Sequence, residues 1–399
     1  MKKIPLLIVF ILLLSLLSGC WSRRELNELA LATALAIDKE DDQYLVTVQI
    51  LNPGEIAGQA QTTAVPVSTY ETTGESIFEA IRKLSAETPR RVYLAHLRMV
   101  IFGEDLAREG INKVLDILSR DHEIRTDFYI AVAKNQKGSD LLKILTGIDK
   151  VPANKIFSSI EVSEKNWAPT RGVQLDDLIS EIISEGSNPI LTGVYYEGDL
   201  EEGNKLQNIE EIKSSAVIKL DHLAAFKQAK LVAWLNKDES KGYNYITDNI
   251  NSTVVVLPCD EEDDGTITLE VIRSKTDVKA SVAQGKPKIT ITTKPEANVG
   301  EVHCKFDNIN EEQLIELEKE YEKHLKDIMF QAIDKAKENK TDLFSFGETI
   351  HRKDPKAWKS LKENWHNDGF VNLEVDIEID AEIRRLGTIN ESFQGKGGG

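Results

Sequence analysis

Between Asp307 and Lys340 the chain carries Leu314, Leu317, Tyr321, Leu325, Ile328, Ala332 and Ala336 at steps of three or four residues. That spacing predicts one long helix with a single apolar stripe about 40 Å in length at 1.5 Å per residue. Pairs such as Glu322–Lys326 and Glu320–Lys323 on its polar surface add only about 0.2–0.5 kcal/mol each, so the stripe must be buried against something. The following segment supplies a partner. From Phe370 to Arg384, Val371, Leu373, Val375, Ile377, Ile379, Ala381 and Ile383 alternate with polar and mostly acidic residues, the pattern of a half-buried strand. The acidic face of that strand should be solvated rather than set against another acidic edge.

The rest of the chain mixes both periods. Leu31–Asp38 and Tyr44–Leu51 read as a hairpin, 75–87 as a helix, 97–102 as a strand, 105–118 as a helix, and 128–133 as another strand. Helices follow at 139–145 and 175–183, closing a first domain near Asn188-Pro189. Ile190–Tyr196 and Ala216–Leu220 read as strands, Leu231–Leu235 as a short helix or strand carrying Trp234, and Gly242–Ile246 and Thr253–Leu257 as extended. Strand candidates at 266–272, 277–282 and 288–293 then lead to the long helix. The fold class is α+β with mixed sheets and the long helix packed on the C-terminal sheet. The expected divisions are an N-terminal α+β domain (20–189), a small β-rich middle domain (190–258), a C-terminal α+β domain (259–393, long helix 311–340) and a flexible tail (394–399).

The N-terminus fixes an address. Lys2 and Lys3 precede an apolar run from Ile4 to Leu17, followed by Ser18, Gly19 and Cys20, the layout of an export signal over residues 1–19. The run falls short of the roughly 20 apolar residues that span a bilayer. In Leu17-Ser18-Gly19-Cys20 the small residues suit cleavage, and the Cys20 thiol can form a thioether with diacylglycerol, as in a bacterial lipobox. Two or more acyl chains hold a protein stably where one does not. With a formal net charge of -17, the chain gains nothing from phosphate attraction overall, which argues against a nucleic-acid partner.

Several constellations carry little chemistry. There is no G-x-S-x-G, H-E-x-x-H or G-x-x-x-x-G-K-[ST], and the histidines are scattered. His303 and Cys304 are neighbours, but adjacent strand residues point to opposite faces, which disfavours a shared metal. Asp260-Glu261-Glu262-Asp263-Asp264-Gly265 reads as a solvated turn, since a calcium loop needs a distal ligand that is missing. Asp121-His122-Glu123 has no nucleophile beside it. Cys259 and Cys304 are read as independent, mostly buried thiols, with one disulfide as the alternative. Phe344, Phe346, Trp358, Trp365 and Phe370 gather after the long helix with Gly347 and Pro355, as a satellite core or as a partner surface.

Three sets of residues together resemble one family. They are Gly19-Cys20-Trp21 with Arg23 to Ala30 and Ile37-Asp38-Lys39; Lys230 to Asn236 with Lys241-Gly242-Tyr243; and Thr341 to Glu348 with Asp354 to Lys359. The pattern resembles the Ger(x)C family, the C subunits of bacterial spore nutrient germinant receptors, with small departures at Ser22, Ala233 and Ser345. The resemblance implies a non-enzymatic lipoprotein without cofactor or metal, anchored through diacylglyceryl and N-acyl groups on Cys20. Its place would be the outer face of the cell membrane, in spores the inner spore membrane, and its partners the A and B membrane subunits. It implies a part in assembly or signal relay, with Trp21, Trp234, Phe344, Phe346, Gly347, Pro355 and Trp358 as structural or partner-contact residues. The rival class is a substrate-capturing lipoprotein of a transport system.

Overall fold

A computed structural model describes residues 28–54, 65–259, 265–304 and 311–385. The leader, Cys20, Trp21, the acidic run Asp260–Asp264 and the tail lie outside the described residues. The first of two sheets has the order β3-β2-β1-β5-β6-β7-β8-β9, with β4 beside β1. Here β1 is Leu29–Glu40, β2 Gln43–Leu51, β3 Val67–Gly74, β4 Arg91–Tyr93, β5 Met99–Gly103, β6 Tyr129–Ala133, β7 Ile190–Gly198, β8 Ala216–Lys227 and β9 Lys230–Leu235. β1, β5, β6 and β7 run parallel, and the outer strands are antiparallel.

The parallel strands are apolar at nearly every position because helices cover both faces. Leu35 and Ile37 face a core shared with α1 (Ile77–Lys83), α2 (Glu104–Glu109), α3 (Asn112–Arg120) and α6 (Leu175–Ile183). Ala34 and Ala36 face the opposite core, shared with α4 (Gly138–Lys143) and α5 (Pro152–Asn166). The helix expected over 105–118 is split into α2 and α3 at Gly110, whose φ of 134° only glycine adopts readily. α5 was absent from the sequence reading, although Pro152 opens it and Ala153, Ile156 and Ile160 mark its buried side.

Segment 190–258 gives β7, β8 and β9 to the first sheet and β10 (Thr253–Pro258) to the second, so no sheet is confined to it. Residues 242–246, expected as extended, belong to helix α7 (Lys237–Ile246). The reason is a capping box: the Asn236 side chain accepts from the amides of Asp238 and Glu239, each at 2.9 Å, while the Asn236 amide donates to Glu239 at 2.7 Å.

The second sheet has the order β10-β11-β12-β13, where β11 is Thr266–Ala283, β12 Lys286–Val302 and β13 Glu374–Ile379, and β14 (Glu382–Arg385) also pairs with β12. Helix α8 (Glu311–Glu338) buries Leu317, Tyr321, Leu325, Ile328, Ala332 and Ala336 in one core with Leu269, Ile289, Ile291 and Ile377 of this sheet. Met329 and Ile333 widen the stripe beyond the positions read from the sequence. The final strand starts at Glu374 rather than Phe370, because Phe370 is drawn into the core by Trp365 and Phe346. Its acidic face lies beside β12, where Lys288 reaches Glu374 at 2.6 Å and Asp376 at 2.5 Å.

Cys259 and Cys304 form a disulfide, which corrects the expectation of independent thiols. Pro258 pairs with Thr266 and Val302 with Ile267, so β10 and β12 end on either side of the start of β11. The cysteine Cα atoms stand 5.9 Å apart there, within the normal span of the bond.

Candidate functional site

The residues singled out after the long helix meet at the joint between the two sheets. Helix α8 ends just before Lys340, which takes a left-handed conformation (φ 53°), and the chain turns back toward the first sheet. The Thr341 hydroxyl donates to the Phe226 carbonyl at 2.6 Å, and the Asn188 amide donates to the Asp342 carbonyl at 2.7 Å. The buried Asp342 carboxylate then organises the next turn. Its Oδ1 accepts from the amides of Phe344 (3.2 Å) and Phe346 (3.1 Å), and its Oδ2 from the Gly347 amide (2.8 Å) and the Trp365 indole (3.0 Å). Burial nevertheless pushes this carboxyl up to about 6, with those four donors pulling the other way.

Loop 184–189 forms the other half of the joint. Ser184 donates to Glu348 at 2.7 Å, Ser187 and Ser345 share a hydrogen bond at 2.8 Å, and Asn188 Nδ2 meets His366 Nδ1 at 3.2 Å. Gly186 sits against Gly347. Phe344, Phe346, Trp358, Trp365 and Phe370 are all buried, with Phe344 stacked on Phe346 (5.1 Å) and Trp358 edge-on to Trp365 (5.3 Å). Pro355 opens α10 (Pro355–Leu361), which follows α9 (Phe346–Lys353) and is capped by Asp354. A second bridge lies deeper: Arg171 pairs with Glu181 at 3.2 Å and donates to the Tyr243 hydroxyl of α7. Asp342 falls within the Thr341 to Glu348 motif and Tyr243 within Lys241-Gly242-Tyr243, but neither was given a role from the sequence, and Arg171 and Glu181 were not singled out at all.

Trp234 stands apart, at the other candidate location. Its indole donates to Glu104 at 3.1 Å, beside a crevice of about 560 Å³ lined by Asp38, Lys39, Gly103, Glu104, Lys137, Asp140 and neighbours. The crevice lies past the carboxyl ends of β1, β5, β6 and β7, where α2 and α4 leave for opposite faces of the sheet, the usual ligand location in open α/β sheets. Asp38 fills the natural anion position itself, accepting from the amides of Gly138 (2.7 Å) and Ser139 (2.9 Å). Burial raises its pKa against the pull of those amides. Burial also acts on Glu104, but the Asn135 amide, the Trp234 indole and Arg108 together hold its carboxyl below the usual range. Most polar groups here already have partners, including Lys39 with Glu109 and Lys137 with Glu40.

Among the described residues no group of three or more His, Cys, Asp or Glu side chains could hold a metal ion. The triplet at 121–123 is structural: Asp121 caps the Glu123 amide at 2.9 Å and Glu123 pairs with Arg91 at 2.6 Å. Among the described residues no helix is long and apolar enough to cross a membrane.

Residues 22–194 match the family described as the spore germination protein N-terminal domain, and residues 221–387 the one described as spore germination B3/GerAC-like, C-terminal. The chain is 32% identical to spore germination protein KC of Bacillus subtilis over 98% of both chains. It is 27% identical to spore germination protein B3 of the same organism, over 96% of this chain and 98% of that one. In fold it is similar to the crystal structure of the GerBC protein, with a TM-score of 0.53 at 24% identity, covering 88% of this chain and 96% of that one.

Proposed function

This chain belongs to the Ger(x)C family of spore germination proteins, and from that premise we propose that it is the lipid-anchored C subunit of a nutrient germinant receptor. It acts there without catalysis, in assembly or signal relay, beside the A and B membrane subunits. The supporting observation is the end-to-end likeness to spore germination protein KC, at 32% identity over 98% of both chains. The arrangement of polar groups is in keeping with this role. The Asp342 carboxylate organises the turn after the long helix, and bonds from that turn to Phe226, Ser184, Ser187 and Asn188 tie it to the first sheet and the loop before β7.

A capturing lipoprotein closes two similar lobes on a hinge. Here the sheets have nine and five strands in unlike orders, and their joint is a buried core rather than a hinge. Lipidation of Cys20 places the subunit on the outer face of the membrane, in spores the inner spore membrane.

The test is copurification from detergent-solubilised spore membranes, with wild type and Cys20→Ala compared. The wild-type chain should bring down the A and B subunits, and spores carrying Cys20→Ala should respond weakly or not at all to the nutrient, since loss of the tether lowers the effective concentration beside the partners. Recovery of the wild-type chain alone, with a normal nutrient response in its absence, would exclude the receptor role.

A further inference from the structure

We propose that the amino end of the nine-stranded sheet is a membrane-docking face, resting on anionic lipid headgroups through Phe78, Arg82 and Arg90. This rests on the reading of Cys20 as the anchor. Cys20 and Glu28 are separated by eight residue steps, which reach at most about 28 Å even fully extended. Glu28 lines a groove of about 690 Å³ together with Phe78, Arg82, Arg90 and Arg91, and Leu29 is paired directly with Arg91 between β1 and β4. The tether therefore leaves the protein at this groove, and an anchored chain keeps the groove close to the bilayer.

The groups at the groove suit an interface. Phe78 is 45% exposed, an unusual position for a large aromatic, and the Arg82 guanidinium lies over its ring at 4.8 Å. Arg91 is engaged by Glu123, while Arg82 and Arg90 are exposed at the rim. An aromatic with arginines around it can sit at headgroup depth, the ring against acyl carbon and the guanidinium on phosphate.

The net charge of the chain does not oppose this. At physiological salt the Debye length is about 8 Å, so only the charges nearest the membrane count. Of the charges at the groove, Glu123 is paired with Arg91 and Asp121 accepts from the Glu123 amide, which leaves Arg82 and Arg90 exposed beside Glu28. Further carboxylates stand at the far end of the same strands, where Asp41 and Asp42 follow β1, Asp105 follows β5, Asp140 lies beyond β6 and Asp199 follows β7. An anionic surface attracts the arginines at one end and repels the carboxylates at the other, which sets the sheet upright on the membrane.

The experiment is amide hydrogen exchange of the full lipidated chain in vesicles of phosphatidylcholine, with or without phosphatidylglycerol. Exchange across residues 77–92 should slow several-fold when phosphatidylglycerol is present, and high salt or the pair Arg82→Glu/Arg90→Glu should reverse this, with residues 200–211 unaffected. Equal exchange in both vesicles, or slowing only at 200–211, would overturn the proposal. An N-terminal peptide without acyl groups would sink the anchor alone. The face would then be judged by the Cys20→Ala chain: sedimentation with phosphatidylglycerol vesicles that the arginine pair abolishes supports it, and no sedimentation ends it.

Discussion

Gly186 and Gly347 touch backbone to backbone: a Cβ added to Gly347 would lie 2.6 Å from the Gly186 Cα, and one added to Gly186 would lie 2.6 Å from the Glu348 amide nitrogen. The first residue belongs to the loop before β7 and the second to the turn organised by Asp342, so this contact sets how closely the two sheets approach. Backbone cannot yield as a flexible side chain can. Gly347→Ala should therefore destabilise the protein by about 1–3 kcal/mol, the usual penalty of overpacking. Denaturant unfolding checks this, and an unchanged midpoint would mean that the joint opens without cost.

Asp342 should make stability depend on pH in an unusual direction. Its carboxyl is raised from 3.8 to about 6 in the folded state, so the native protein holds this proton more tightly than the unfolded chain does. The contribution is fully present below pH 3.8 and is lost as pH rises through 6, on the order of 3 kcal/mol from about 1.4 kcal/mol per unit. Asp342→Asn removes the titration but turns an amide donor toward groups that are themselves donors, which costs about 1–3 kcal/mol. The gap between wild type and variant, measured by denaturant unfolding at a series of pH values, should be widest near pH 4 and narrow by pH 7. A gap independent of pH would show that Asp342 titrates normally.

Much of this architecture could be read before any coordinates. The stripe of α8 and the alternation leading into β13 have strong single periods, and both elements form, because each buries one face only. Residues 242–246 were misread because Tyr243, Tyr245 and Ile246 look like strand residues, while the deciding signal was local, the Asn236–Glu239 capping box that opens the helix over 237–246. Gly242 in that helix permits a close crossing with α8, where a Cβ would overlap the Ile328 carbonyl. Phe344, Phe346 and Trp358 were legible as a cluster because they are close in sequence. The Ser184, Ser187 and Asn188 side of the joint was not, since its partners lie some 158 to 178 residues away and no spacing rule reaches that far.

The Cys259–Cys304 bond closes a loop with a sequence separation of 45 and ties the ends of β10 and β12. Cross-links of that size stabilise mainly by restricting the unfolded chain, typically by about 2–4 kcal/mol. Cys259→Ser/Cys304→Ser should lower the unfolding free energy by that amount, and a reductant should bring wild type to the same value. Identical thermal unfolding with and without reductant would show that the bond adds nothing beyond the packing of the strands.

Arg171 links segment 168–173 to two elements at once, Glu181 on α6 and Tyr243 on α7. The pair is largely buried, and burial, the leading influence on Glu181, raises its carboxyl pKa while Arg171 draws it down. Removing the guanidinium leaves that carboxylate without its cation, so Arg171→Ala should cost about 2–3 kcal/mol, the range for a lost hydrogen bond to a charged group. If the cost comes from the stranded charge, adding Glu181→Gln should recover part of it, because a neutral amide has less to lose from burial. A double-mutant cycle in urea separates the two contributions. Strict additivity would show that Arg171 acts through its packing against the Tyr243 ring, whose centroid lies 5.8 Å away, and not through the ion pair.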